Sequence, residues 1–389
     1  MLDSQVVDSA AIASRCVATK AVLVDLLDKA DIRVNGDRPS DIRVHDDRFW
    51  DRIASQRELA FGESYMDGWW DCDALDQVIA KVQGNNLRDQ VRITPTLAFH
   101  VARSVALNRQ TVRRAAKNAK HHYDIGNDLY ERMLDERMVY SCAYWRRDGQ
   151  ELDDLGQAQE AKLDLVCRKL GLEQGMRLLD IGCGWGGLAR FAAERYGASV
   201  VGVSPAGEQV KVARERCKDL PVEIRQQDYR DVRGTFDRIT SIGMIEHVGP
   251  KNLKRFFDAC DERLADDGIM LHHTIGSNES KSHIDPWFDK YIFPGGNLPS
   301  IAQIAAAAER RWVIEDLHNF GPDYDRTLLA WHTNVAGAWS DLPNYDERFR
   351  RMWDYYLLGS AGSFRARNIQ LWQVVFRKIR ASPTYIAAR

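Results

Sequence analysis

The sequence predicts an α/β fold, a doubly wound and mostly parallel sheet preceded by a smaller mixed domain. Three observations carry this. From Met176 onward, short apolar runs alternate with helix-length segments, the pattern of strand–helix–strand units. A glycine-rich turn closes the first of those runs. The chain of 389 residues is long enough for one large core and a second, smaller one.

Residues 20–100 read as short helical and mixed stretches around an aromatic knot, Tyr65-Met66-Asp67-Gly68-Trp69-Trp70. A satellite core accounts for such a knot; the alternative is a surface that meets a lipid interface, where Trp is favoured. Between Arg103 and Tyr123 the composition changes to Arg103, Arg109, Arg113, Arg114, Lys117 and Lys120 with His121 and His122, and no acid. The domain boundary is placed there, near residue 117, giving domains 1–117 and 118–389. This stretch is either a solvated linker or a surface for anionic headgroups, on which each cation adds on the order of 1 kcal/mol.

The second domain opens with strand Met176–Ile181 and helix Trp185–Tyr196. Strand Ser199–Val203, helix Gln209–Leu220 and strand Val222–Gln226 follow. Strand Phe236–Ile242, a helix over Asn252–Leu264 and strand Gly268–Thr274 continue the series. In the tail, Leu328, Trp331, Val335 and Trp339 recur at helical spacing, and Ile369–Ile379 closes the chain as a strand.

Composition bounds the function. Apolar residues make up 44% and charged residues 28%, an ordinary globular balance. The net charge of −2 leaves attraction to anions to local patches, and nucleic acid is not an expected partner. The seven cysteines are scattered without a CxxC pair, which argues for reduced thiols in a cytosol and against a zinc cage or disulfide framework. No metal is expected. No apolar run reaches the ~18 residues of a membrane span, and the acidic N-terminus lacks the features of a secretion signal.

The strongest local signal is Leu178-Leu179-Asp180-Ile181-Gly182-Cys183-Gly184-Trp185-Gly186-Gly187, a strand running through glycines into a helix. The glycines also fit the GxGxxG fingerprint of dinucleotide-binding folds. Two features turn the reading toward S-adenosylmethionine: Asp180 ahead of the glycines, and Gln226-Gln227-Asp228-Tyr229 after the third strand. The second strand ends Gly202-Val203-Ser204-Pro205 without the usual ribose-binding acid, and Glu208 or Gln209 is the substitute.

Further blocks narrow the class. Tyr140-Ser141-Cys142-Ala143-Tyr144-Trp145, Glu246-His247-Val248-Gly249-Pro250-Lys251-Asn252 and His273-Thr274-Ile275-Gly276 resemble the cyclopropane-fatty-acyl-phospholipid synthases. So do Asp285-Pro286-Trp287, Lys290-Tyr291-Ile292-Phe293-Pro294, His318-Asn319-Phe320-Gly321, Asp323-Tyr324-Asp325 and the run Phe364–Gln373. Gly62–Trp70 extends the likeness into the front domain, so the form is similar to the bacterial two-domain synthase.

The resemblance implies a Rossmann-like, seven-stranded methyltransferase sheet with helical insertions. It implies transfer of a methylene group from S-adenosylmethionine to the cis double bond of an unsaturated phospholipid acyl chain, with a bound bicarbonate ion as base. Bicarbonate would be held by backbone N–H groups of Cys142 and Ile275 and by the side chains of Glu246, His273 and Tyr324. S-adenosylmethionine would meet Tyr140, Ser141 and Asp180, a floor of Gly182, Gly184 and Gly186, Gln209 at the ribose, and Asp228 with Tyr229 at the adenine. Tyr140, Tyr144, Trp145, Tyr291 and Phe293 are candidates to face a lipid cation. His247 and His272 are read as structural. The family's proposed catalytic cysteine falls at Ser360, which argues against an obligatory thiol. The resemblance further implies a homodimer through the front domain and a cytoplasmic protein working peripherally on the inner membrane leaflet. Rivals on the same scaffold methylate an amine or make a branched fatty acid; an inactive lipid-binding protein and an NAD oxidoreductase are the other readings.

Overall fold

A computed structural model describes residues 20–87, 126–382 and 384–389. The basic stretch 103–122 and the boundary near 117 lie outside the described residues. In chain order the principal elements are helices α1 (Arg48–Gln56), α2 (Glu58–Met66), α3 (Leu75–Gly84), α4 (Asn127–Met133) and α5 (Leu155–Lys169). Then come β1 (Arg177–Ile181), α6 (Gly187–Tyr196), β2 (Ser199–Ser204), α7 (Gly207–Cys217), β3 (Val222–Gln226), β4 (Phe236–Ile242), α8 (Leu253–Asp261) and β5 (Leu264–Ser277). The chain finishes with α9 (Pro286–Tyr291), α10 (Ile301–Ala308), β6 (Trp312–Asn319), α11 (Gly321–Gly337), α12 (Glu347–Arg365) and β7 (Ile369–Lys378).

The chain divides into two compact units: one draws on Met1–Ala106, Asp285–Ile292 and Pro343–Asn368, the other on Leu107–Ile284, Phe293–Leu342 and Ile369–Arg389. A single cut at residue 117 would assign α9 and α12 to the second domain, whereas both fold with the first unit. The reason is packing. A Cβ on Gly62 of α2 would lie 2.4 Å from the Trp287 ring of α9, and one on Gly362 of α12 would lie 2.3 Å from the Asp76 carbonyl of α3. These glycines let helices meet backbone to ring and backbone to backbone. Trp70 is fully buried and donates its indole N–H to the Phe61 carbonyl at 3.1 Å, so the aromatic knot is a core. Trp69 is half-buried, with the Arg48 and Arg52 guanidiniums 4.7 and 4.8 Å from its ring.

The second unit holds a seven-stranded sheet in the order β3-β2-β1-β4-β5-β7-β6. The first five strands are parallel; β7 runs antiparallel between β5 and β6. Val200, Val201 and Val203 of β2 and Leu178, Leu179 and Ile181 of β1 are all buried, because helices cover both faces of a parallel sheet. Phe236, Ile239, Phe256, Phe257, Met270 and Phe376 belong to one apolar cluster of this unit, and Leu163, Val166, Leu178, Phe191, Val200 and Val375 to another. The strand order reverses between β1 and β4, and the crevice beyond the carboxyl ends of those strands is where such sheets take ligands.

Candidate active site

The loops that leave β1, β2, β3 and β4 converge on one cleft. Tyr140, Ser141, Asp180, Gly182, Gly184, Gln209, Asp228 and Tyr229 line it, so the turn after β1, the start of α7 and the turn after β3 meet as the motifs require. Gly182 takes φ +85°, a backbone conformation open mainly to glycine. Gly186 is different: it does not line the cleft. At φ +82° it opens α6, and a Cβ there would stand 3.2 Å from the Cys217 sulfur and 3.3 Å from the Ala213 Cβ of α7. Its role is to let α6 start against α7.

Asp228 carries an ion pair with Arg230 at 2.5 Å. Burial pushes its carboxyl upward, but the Arg230 hydrogen bonds outweigh that and hold it below the ordinary carboxylate range. It is therefore ionised and able to accept a further hydrogen bond. At the other end of the cleft, burial pushes Asp180 up to about 7, against the opposing pull of Lys162. His247 also lines the cleft, with its imidazole kept neutral by burial at about 4. The reading of His247 as purely structural is thus incomplete. His272 does sit among rings, its centroid 5.1, 5.3 and 5.4 Å from Phe256, Phe257 and Phe376.

Tyr140-Ser141-Cys142 is clamped from two sides. From α5, Gln159 donates to the Ser141 carbonyl at 2.8 Å and Lys162 to the Ser141 hydroxyl at 2.7 Å. From α11, Thr327 accepts the Ala143 N–H at 3.1 Å, and Asp323 accepts the Trp145 N–H at 2.9 Å. Tyr324 lies on the same turn of α11, buried at 8% exposure. The Cys142 thiol is buried, which pushes it well above its ordinary value, so it is no nucleophile.

Glu246 follows β4, while His273 and Ile275 belong to the neighbouring β5. The Ile275 N–H, expected on a bound anion, donates instead to Glu246 Oε1 at 2.7 Å. Burial raises the Glu246 carboxyl to about 7. Gln373, opposite His273 on β7, lies 3.3 Å from His273 Nδ1. Burial, reinforced by repulsion from Lys162 and Lys169, pulls His273 well below its ordinary value, so the ring is neutral. Among the described residues, Glu246 Oε2 and His273 Nε2 are both buried without a hydrogen-bond partner. Buried atoms left this way cost about 1–3 kcal/mol each and ask for an explanation.

The aromatic candidates divide. Tyr140 packs against Tyr130, Trp185 and Trp331 at 5.1, 6.5 and 5.3 Å on the cleft wall. Tyr144 stands edge-on to His318 and Phe320, and Phe293 lies 5.9 Å from His247. Trp145 and Tyr291 already carry cations, the Arg326 guanidinium at 4.4 Å and the Lys290 ammonium at 5.0 Å. Sequence reasoning passed over Lys162 and Gln373. Lys162 had a signal: it falls on the same helical stripe as Leu155, Ala158, Gln159 and Val166, where a lysine head has no route to water.

A sequence profile of the family described as mycolic acid cyclopropane synthetase matches residues 110–374. The cyclopropane-fatty-acyl-phospholipid synthase of Escherichia coli strain K12 is 52% identical over 355 residues, 91% of this chain and 92% of that protein. The tuberculostearic acid methyltransferase of Mycobacterium tuberculosis is 33% identical over 83% of this chain and 79% of its own length. Among solved structures, mycolic acid cyclopropane synthase CmaA1 complexed with SAH and CTAB superposes with a TM-score of 0.62 at 31% identity, covering 68% of this chain and 98% of that one. Coclaurine N-methyltransferase, at 21% identity and a TM-score of 0.66 over 82% of this chain and 99% of that one, shows a shared fold alone. With the strand order, the cleft at the switch point and these likenesses together, the chain belongs to the mycolic acid cyclopropane synthetase family and is an S-adenosylmethionine-dependent methyltransferase.

Proposed function

We propose that this enzyme closes a cyclopropane ring across the cis double bond of an unsaturated phospholipid acyl chain, with bound bicarbonate as the proton acceptor. The observation that carries the reading is that, among the described residues, Glu246 Oε2 and His273 Nε2 are each buried without a hydrogen-bond partner. When bound, S-adenosylmethionine supplies an electrophilic methyl carbon and bicarbonate an oxygen base. The remaining work belongs to the chain. Glu246, poised near neutrality, shares one proton with the anion and so avoids charge repulsion. The neutral His273 ring, the Tyr324 hydroxyl and the Cys142 and Ile275 N–H groups orient it. For Ile275 this requires Glu246 Oε1 to give way. Tyr140, Tyr144 and Phe293 keep water from the reacting carbons.

The substrate would be drawn from the inner membrane leaflet by a cytoplasmic, peripherally bound homodimer, with domain 1–117 serving lipid contact and dimerisation. Among the described residues, no helix is long and apolar enough to cross a membrane.

The test is incubation of S-adenosylmethionine with vesicles of oleoyl phospholipid, followed by mass and NMR analysis of the acyl chains. Cyclopropane protons are expected. A methyl or methylene branch, or methylation of an added amine alone, assigns a different reaction. Ser360, buried at 9% exposure on α12, takes no part in this chemistry. Ser360→Ala is expected to keep turnover within a few-fold of the parent in the same vesicle assay. A loss of orders of magnitude with folding intact, judged by circular dichroism, contradicts that.

A further inference from the structure

Strand register sets three polar side chains in one row. His273 of β5 stands beside Gln373 of β7, and Gln373 beside His318 of β6. Cross-strand partners share one face of a sheet, and Lys169 of α5 meets that face with its ammonium 3.1 Å from His318 Nδ1. His273 and Gln373 are 2% and 0% exposed, so neither reaches water.

A polar side chain kept in such a place costs stability, and its hydrogen bonds say what it does there. The Gln373 amide nitrogen lies 3.3 Å from His273 Nδ1. Its Oε1 is, among the described residues, buried without a partner. A methionine would fill the same length without that cost, so Gln373 contributes something other than packing. An amide nitrogen only donates, and Nδ1 therefore accepts. A neutral imidazole offers one donor and one acceptor, and His273 is neutral because burial opposes its charge. The ring proton is thereby confined to Nε2, the atom left buried and open among the described residues. The row repeats the device one strand further on. The Lys169 ammonium, also a pure donor, occupies His318 Nδ1 and leaves the proton of that ring, kept neutral by burial, on its Nε2.

We propose that Gln373 is a positioning residue for the reaction: by donating to His273 Nδ1 it fixes the ring proton on Nε2 and makes His273 a hydrogen-bond donor to the anion. Turned the other way, with its carbonyl oxygen on Nδ1, the amide would hold the proton on Nδ1 and aim a ring lone pair at the anion. The cofactor is not involved, since Gln373 does not line its cleft. The inference rests on the reading of Glu246 and His273 as an anion site, but not on the identity of the lipid product.

The experiment is nitrogen NMR of the full chain carrying isotope-labelled histidine, the His273 signals being those lost in His273→Gln. The parent is expected to show Nδ1 bare and Nε2 protonated. A proton on Nδ1 overturns the proposal without recourse to any Gln373 variant. In Gln373→Met the ring is expected to populate both tautomers. In the vesicle assay, with bicarbonate added back to carbonate-depleted buffer, the apparent KM for bicarbonate of that variant is expected to rise roughly 10-fold, the scale on which losing an orienting partner weakens a histidine ligand. This change should exceed that in kcat, and the KM for S-adenosylmethionine should stay as in the parent. A bicarbonate KM equal to the parent's, whether or not Tm and turnover fall, marks Gln373 as packing and overturns the proposal. A parent whose turnover ignores bicarbonate removes the anion reading, and the proposal falls with it. The tautomer signal, read with no anion added, tells that failure from an error in the role of Gln373.

Discussion

Replacing Glu246 with Gln is expected to lower turnover roughly 10²- to 10⁴-fold, the range lost with a positioned acid–base group, while S-adenosylhomocysteine binds as before. The amide keeps the size of the side chain and can still accept the Ile275 N–H, now made at 2.7 Å. It cannot trade a proton with an anion. The same variant carries a stability signature. Burial raises the Glu246 carboxyl from 4.5 to about 7. A group raised in the native state contributes stability that is full below its unfolded value and lost as pH rises through its native one. Between those limits the parent should therefore lose stability relative to Glu246→Gln. The check is the difference in Tm between the two proteins at about pH 5 and about pH 8. Turnover close to the parent's, or a Tm difference that does not change with pH, removes Glu246 from the proposed role.

The second large effect is expected at Gly276, next to Ile275 on β5. A Cβ there would fall 1.9 Å from the Trp372 ring, and Trp372 is itself buried at 5% exposure on the adjoining strand. The indole lies flat over the glycine, so it cannot yield without leaving its own packing. Overfilling of this kind costs about 1–3 kcal/mol, occasionally more. Gly276→Ala should sit at the upper end and lower Tm by roughly 4–6 °C. Because Ile275 and His273 share the strand, activity should fall further than the fraction unfolded explains. Calorimetry and the vesicle assay on the same preparation test both statements. A Tm equal to the parent's means the indole has room that the geometry denies it.

Much of this was legible before any coordinates. Strands β1, β2 and β7 follow from valine- and leucine-rich runs, because strands buried on both faces write their burial directly into the sequence. Strand β6 was missed for the opposite reason. It is an edge strand in which Val313, Ile314 and Leu317 are exposed at 41%, 40% and 43%, and a register shift between Ile314 and Asp316 breaks its alternation. The cofactor glycines were legible as a set but not by role: nothing in GCGWGG separates Gly184, which lines the cleft, from Gly186, which meets α7. Glu246, His273, Ile275 and Tyr324 were reached through motif likeness, since residues on β5, on α11 and after β4 have no shared spacing to read. Lys162 was passed over because a lysine in a helix ordinarily reaches solvent; its place on the buried stripe of α5 was the signal that this one does not.

The way the first unit is assembled bears on how the polypeptide matures. Its helices α1, α2 and α3 are completed by α12, which donates from Arg351 to the Tyr65 carbonyl at 2.5 Å and pairs Arg365 with Asp76 at 2.6 Å. During synthesis the amino-terminal helices leave the ribosome long before α12 is translated. Their apolar faces must wait, uncovered, while the entire parallel sheet is made. Vectorial folding is therefore interrupted for this unit: the segment born first waits for α12, one of the last elements to be translated.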